Sequence, residues 1–456
     1  MAPNENSVAF KPPIDNPTLE IVKMARGVGI ENLPQQTQRR VRSILLDTIG
    51  CAVAGATTEV GQIVADYCAG EHGPLEATML GHKPVSLLSA VFANTIFGNA
   101  LDYDAFGPEG HMAVVVVPAA LAVAEAIDSS SDDLITAIAL GMEIGGRLGA
   151  ALRRPTQSKA PLTGHTFATI GAMVAAGRLL KLSENEFLNA FGIAAYSAQI
   201  PTLRRFFSKS QDAMTKYDHI GLAARNGVEA ALLARRGFTG DQSVLEGDYP
   251  FWRLSGAEGC DWDHLLTGLG EVWKLDTVEF KPYPVGTGSV PIIELLLGLI
   301  SNNDLTIGDL DHVDVLTRTH YLHHEKDVST PIEAWTDLRY GLALAILRVR
   351  PYRDWYEAEN ISNPVVQSMM KRISILPLNT GPGRWSTEIT LRTQDGRSFT
   401  GSQHEASPVT TAQIVEKFRD NTDGSGLGFD TAKAVRLCQD ADRFSVRSLA
   451  SLFSVV

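Results

Sequence analysis

Three histidines, a lysine, an aspartate and a tyrosine stand in small, apolar sequence, where an ionisable side chain is costly to bury without a partner. Asp102 and His111 lie in ALDYDAFGPEGHM, His165 in LTGHTF, Lys216 and His219 in TKYDHIGLAARNG, and Tyr340 in AWTDLRYGLALA. Drawn together, such groups supply an acid, a base and a cation. That is a proton-transfer site for a small anion, and it makes the chain an enzyme on this reading.

Each residue also has a plainer reading. Asp102 and Asp104 are two positions apart, so helical geometry points them in different directions; one is expected to face the site and Asp104 to serve as a turn acid. His111 precedes a very apolar helix and can be a cap-like residue. His165 follows Thr163-Gly164 at a helix start, where free N–H groups and the dipole favour an anion and a neutral imidazole. Lys216 and His219, at i and i+3, share a helix face. An ammonium there can hold a carboxylate, or exchange a proton if burial lowers its pKa. Arg204 and Arg205 in LRRFFSK can add carboxylate forks, while Lys209 reads as solvated.

Other chemistries find less support. His320, His323 and His324 in THYLHHEK lack an HExxH pattern or a partnered acid, so a solvated loop is expected and no metal site. The glycines of GMEIGGRLGAA do not follow a strand, and neither a GxSxG elbow nor a P-loop is present. No cofactor is expected. The four cysteines (Cys51, Cys68, Cys260, Cys438) are scattered without metal-ligand spacing. A formal net charge of −12 argues against nucleic acid or an anionic membrane as partner. The start MAPNENSVAFKPPIDNP lacks the pattern of a targeting signal, and no apolar run reaches about 18 residues, so the cytoplasm is the expected location.

The elements that must position these residues fall into two textures. From about Pro17 to Arg236 the sequence reads as helix after helix, Ala- and Gly-rich and apolar over wide arcs, which predicts tight helix–helix contacts. Near Trp273 the texture turns mixed. VWKLDTVEFKPYPV and LDHVDVLTRTHYL read as strands, and STEITLRTQDGRSFTGSQ as a hairpin around Asp-Gly. VPIIELLLGLIS and IEAWTDLRYGLALAILRV read as helices between them. After about His404 helical texture returns. The fold class is therefore mainly α: a large all-helical domain, discontinuous in sequence (1–271 and 404–456), with an inserted smaller α+β domain (272–403).

With those residues laid out, the chain resembles the MmgE/PrpD family of 2-methylcitrate dehydratases, cis-aconitate decarboxylases and iminodisuccinate epimerase. The anchors are RSILLDTIGCAVAGA, LDYDAFGPEGHMAVVVVPAALAVAEA, GHTFATIGAMVAAGRLLKL and TKYDHIGLAARNGVEAALLARRGFTG. The resemblance implies a helical domain with an inserted α+β lid, an active site between the two, and a homodimer working without metal. It carries the family's active-site positions onto Asp102, His111, His165 and Lys216, and its lid tyrosine onto Tyr340.

Two segments depart from the family pattern. Ala105 and Phe106 stand where a second polar or histidine side chain is usual. KPYPVGTGSVPIIE has Ser289 and Val290 near the place where the lyases keep a lid histidine. Arg204, His219 and Ser289 are candidates for its role in binding substrate. The implied chemistry is proton transfer beside a carboxylate of a small di- or tricarboxylic acid. His111 and His165 would act as acid, base or carboxylate ligands, Lys216 would hold a carboxylate or donate a proton, Asp102 would orient a histidine, and Tyr340 would close the site. A dehydratase or decarboxylase is the first expectation and an epimerase the alternative; a silent acid-binding or scaffold protein is the third.

Overall fold

Small side chains set how closely the helices approach. Gly141 in helix Ser131–Arg153 and Gly171 in helix Thr166–Leu179 face one another. A Cβ on Gly141 would lie 2.6 Å from the Gly171 carbonyl oxygen, and one on Gly171 2.8 Å from the carbonyl oxygen of Gly141. At the second of these helices' other neighbours, a Cβ on Gly227 of helix Thr215–Arg235 would meet the Thr169 carbonyl at 2.5 Å. The computed structural model describes residues 12–153, 166–198, 213–257, 259–318, 328–379, 381–383, 385–439 and 443–455. It is mainly α-helical with two small sheets.

Helices apolar on all sides belong at the centre of a domain. Met112–Ala126 is such a helix, buried continuously from Met112 to Glu125. The run Ser131–Leu152 is long and apolar enough by composition to cross a membrane, contrary to the sequence expectation, and 94% of its apolar window is buried inside the protein. The core around these helices includes Ile44, Phe97, Val115, Leu140 and Phe167, together with Ile414, Phe418 and Phe453 from the C-terminal segment. Helix Thr411–Gly424 lies against helix Gln35–Ala56, where a Cβ on Gly50 would reach the Phe418 ring at 2.9 Å.

A second core gathers Val285, Ile293, Val313, Tyr340, Trp355 and Ile389. Its sheet contains β1 (Leu310–Thr317), β2 (Ile373–Pro377), β3 (Thr387–Thr393) and β4 (Ser398–Gln403), in the order β2-β1-β3-β4. β1 pairs in parallel with β2 (Val313 opposite Ile373) and antiparallel with β3 (Val315 opposite Ile389). The Asp-Gly signal marks the β3–β4 turn, with Gly396 at φ +86°.

Two elements differ from the sequence reading in ways that matter below. VWKLDTVEFKPYPV forms no strand beyond a single bridge between Glu279 and Phe106. Pro282 and Pro284 lack the N–H that a ladder needs. IEAWTDLRYGLALAILRV is two helices, Pro331–Thr336 and Leu338–Ile346. Asp337 interrupts them, leaving helical geometry (φ −94°, ψ 106°) and accepting the Arg339 N–H at 2.9 Å.

The glycine contact yields a stability prediction. Gly141→Val should lower unfolding free energy by about 1–3 kcal/mol through overpacking against backbone, as read by urea unfolding. An unchanged midpoint would mean that the two helices can part without cost.

Candidate active site

Helix Leu87–Asn99 ends in the residue that organises the site. Beyond Asn99 the chain turns, with the Asp102 N–H donating to the Asn99 carbonyl at 2.9 Å and Asp102 itself at φ +49°. This left-handed step is costly for a residue with a Cβ and persists only where neighbours enforce it. Because Asp102 and Asp104 are not on a helix, the two-residue spacing does not separate them. Both carboxylates are buried and both face His111, so Asp104 is no ordinary turn acid.

His111 stands immediately before helix Met112–Ala126, but its side chain makes no cap bond there. Its Nδ1 lies 2.7 Å from Asp104 Oδ2, and Nε2 lies 3.5 Å from Asp102 Oδ1. A carboxylate accepts only, so the Asp104 contact assigns a proton to Nδ1, with Nε2 turned toward Asp102. Asn99 Nδ2 donates to the other Asp104 oxygen at 2.9 Å. The Phe106 ring meets the imidazole edge-on, 5.3 Å between centroids.

Two ammonium groups converge on Asp102. Lys216, in the first turn of helix Thr215–Arg235, places Nζ 3.6 Å from Asp102 Oδ1 and 3.4 Å from Asn99 Oδ1. Lys281 donates to the Asp102 carbonyl at 2.6 Å and lies 3.5 Å from its Oδ2. The indole N–H of Trp335 donates to Oδ2 at 2.8 Å, while its ring lies 3.9 Å beneath the Lys216 ammonium. Burial alone would raise the Asp102 pKa. Lys281, Lys216, His111 and the Trp335 bond outweigh it and hold the carboxyl well below the usual range. Burial also opposes ionisation of Asp104, and the charge of His111, then Lys281, brings its pKa below the ordinary value. Lys216 moves down, chiefly through burial and with Lys281 adding repulsion, against the pull of Asp102.

Asp102, Asp104 and His111 also bring potential metal-ligand atoms within 4.8 Å of one another. The Asp102 carboxylate already faces two ammonium groups and an indole N–H, and Asp104 is taken up by Asn99 and His111, so a divalent ion would have to displace cations from a buried carboxylate. The donor set suits proton handling and anion binding better than metal binding.

The remaining predicted residues divide. His219 is buried beside the site, with Nδ1 3.3 Å from the Thr215 carbonyl oxygen; burial, then Lys216 and His111, push its pKa down to about 4. Tyr340 does not join the carboxylate cluster as expected. Its hydroxyl donates to the Trp355 carbonyl within the second core, and its ring stacks on Tyr356. The two residues stand on different helices, Trp335 on Pro331–Thr336 reaching Asp102 and Tyr340 on Leu338–Ile346 within the second core. Ser289 is buried at the start of helix Val290–Asn302, and no hydrogen bond joins it to the cluster among the described contacts. His165, Arg204 and Arg205 lie outside the described residues, as do Lys209, His320, His323 and His324.

Asn99, Lys281 and Trp335 were not singled out from sequence, and Asp104 only as a turn acid. Lys281 had a usable signal, a lysine inside the apolar, proline-bearing run EFKPYPV. Next to the cluster opens a cleft of about 530 Å³, lined by Leu101, Tyr217, Ile332, Trp335, Arg353 and Tyr356 among others.

A mainly helical protein with a buried aspartate–histidine–lysine cluster, met by a lysine and a tryptophan from later in the chain, matches one family over most of its length. Residues 19–259 match the MmgE/PrpD N-terminal domain and residues 283–438 the MmgE/PrpD C-terminal domain, and the chain belongs to that family. Among individual proteins, it is 26% identical to human cis-aconitate decarboxylase over 453 residues, covering 92% of this chain and 91% of that protein. It is 24% identical to the cis-aconitate decarboxylase of Aspergillus terreus over 438 residues, 88% of each chain.

The His219 shift predicts a pH dependence. Between pH 6.5 and about 4 the unfolded chain takes up a proton that folded His219 refuses, so stability falls as pH falls through this window. The group should account for about 3 kcal/mol lost between pH 7.5 and pH 4. Urea unfolding of His219→Gln should show a correspondingly smaller loss than the wild type; equal losses would mean that His219 titrates normally in the folded protein.

Proposed function

We propose that the protein is an MmgE/PrpD-type lyase that decarboxylates a small unsaturated tricarboxylic acid of the cis-aconitate kind by proton transfer beside a carboxylate, without a cofactor. The observation that carries this reading is the His111 imidazole, held through Nδ1 by Asp104 with Nε2 turned toward the Asp102–Lys216 pair. The names of the relatives support the reaction class.

In the proposed reaction, the C–C bond to one carboxylate breaks and CO2 departs. The bonding electron pair enters the adjoining unsaturated carboxylate system. His111 Nε2, when protonated, delivers one proton to the carbon that gained the pair, and solvent restores that proton. Asp104 stabilises the charged imidazole and keeps its orientation, as a carboxylate partner does for a catalytic histidine elsewhere. Lys216, partly neutralised by Asp102, offers its ammonium to a substrate carboxylate, and Lys281 keeps Asp102 ionised. His165, Arg204 and Arg205 are proposed as further acid/base and carboxylate-binding groups. Segment 272–403 is proposed as a lid, bringing Lys281 and Trp335 onto the helical half, with the homodimer as the working form.

A second reading, epimerisation, is favoured by one observation. The segment after Lys281 reads PYPVGTGS, with hydroxyl side chains and no histidine to assist a leaving group. An epimerase removes a proton and returns it to the opposite face, so it needs no such assistance.

Turnover of cis-aconitate, followed by CO2 release and by NMR of the product, tests the proposal. Wild-type protein should release one CO2 per product, and Asp104→Asn should lower kcat by about 10²–10⁴-fold while the protein stays folded. Deuterium uptake by a chiral dicarboxylate without CO2 release would instead favour the epimerase. Full activity in Asp104→Asn would overturn the assignment of His111.

A further inference from the structure

The turn that carries both carboxylates is gripped from outside the site by a second buried ion pair. Lys417, on helix Thr411–Gly424, lies 2.7 Å from Asp47 on helix Gln35–Ala56, and both side chains are buried. The same ammonium donates to the Tyr103 carbonyl at 2.6 Å and sits 3.9 Å over the Tyr103 ring. Asp47 Oδ2 in turn accepts the Ala105 N–H at 3.2 Å. Burial works against the charge on Lys417, but Asp47 outweighs it and holds the ammonium above its ordinary pKa.

Three backbone groups within residues 102–105 are thus held. Lys281 takes the Asp102 carbonyl, Lys417 the Tyr103 carbonyl and Asp47 the Ala105 N–H, which leaves the Asp104 carboxylate for His111. Asp102 needs such restraint, because its left-handed φ of +49° is one that a side chain disfavours. Among the described contacts, the hydrogen bonds of Lys417 and Asp47 reach the backbone of the turn rather than its carboxylates or His111, while both charges are also felt by Asp104 through space.

We propose that Asp47 and Lys417 are positioning residues, a clamp by which the C-terminal segment sets the geometry of the Asp102–Asp104 turn and hence the placement of His111. The activity consequence rests on the proposed decarboxylation; the structural consequence does not. A misplacement of about 1 Å at a reacting group costs about 100-fold in rate.

The test compares full-length wild type, Lys417→Met, Asp47→Asn and Lys417→Arg by hydrogen exchange of a peptide spanning residues 100–112 and by steady-state kinetics with cis-aconitate. In both neutral variants, exchange in that peptide should rise at least about tenfold while peptides from helix Ser131–Arg153 stay at wild-type rates. Their kcat should fall about 100-fold with KM within about threefold, and Lys417→Arg, which keeps the charge and donors, should recover most of both. Should Lys417→Met fail to fold, Asp47→Asn decides alone. Wild-type exchange in residues 100–112 of a folded neutral variant would overturn the clamp, as would wild-type kcat. If the wild type itself does not decarboxylate, the proposed reaction fails and the exchange result still decides the clamp.

Discussion

A carboxylate with almost no access to water has to be surrounded by positive charge and hydrogen-bond donors, and Asp102 is the place where the protein meets that demand. Lys216 comes from the helical half, Lys281 and Trp335 from segments that follow it, and His111 from the same turn. Removing any one of these would leave a buried charge poorly compensated. Trp335, and Phe280 beside Lys281, pack into the first core, while Ala334 and Leu338 beside Trp335 belong to the second, so the requirement is met where the two cores adjoin. Trp335, which donates to Asp102 and underlies Lys216, also lines the adjoining cleft, so the cluster is one side chain away from it.

The surrounding helices serve this charge cluster by being rigid and close. Glycines let helices approach closely, as Gly141 does against Gly171, and Gly98, next to the helix end from which the polar turn projects, leaves room for Val114 at the start of helix Met112–Ala126. Short, strained connections between fixed helices hold catalytic groups better than long loops do. The buried pair of Asp47 and Lys417 extends the same logic one layer outward, because it acts on the peptide groups of the turn.

Much of this was legible in the sequence. Wide apolar arcs and alanine–glycine composition marked the central helices, and Asp-Gly marked the β3–β4 turn. Asp102, His111 and Lys216 stood out because charged groups are rare in such surroundings, and the structure brings the three together. Asp104 was misjudged because helical directions were applied to a turn whose left-handed step no local pattern announces. Tyr340 was misplaced for a related reason. The apolar period runs smoothly through TDLRYG, so the break created by the Asp337 side chain on the Arg339 N–H is invisible to periodicity. Trp335 and Lys281 depend on contacts across more than 170 positions of chain, which spacing alone does not encode.

The most direct measurement of the central claim is a crystal structure of the protein with propane-1,2,3-tricarboxylate, a saturated analogue that can bind but cannot lose CO2 through an unsaturated system. The account predicts one carboxylate within hydrogen-bond distance of Lys216 Nζ and a backbone carbon of the ligand about 3–3.5 Å from His111 Nε2. A ligand seated away from His111, with the Asp102–Lys216 pair untouched, would contradict it.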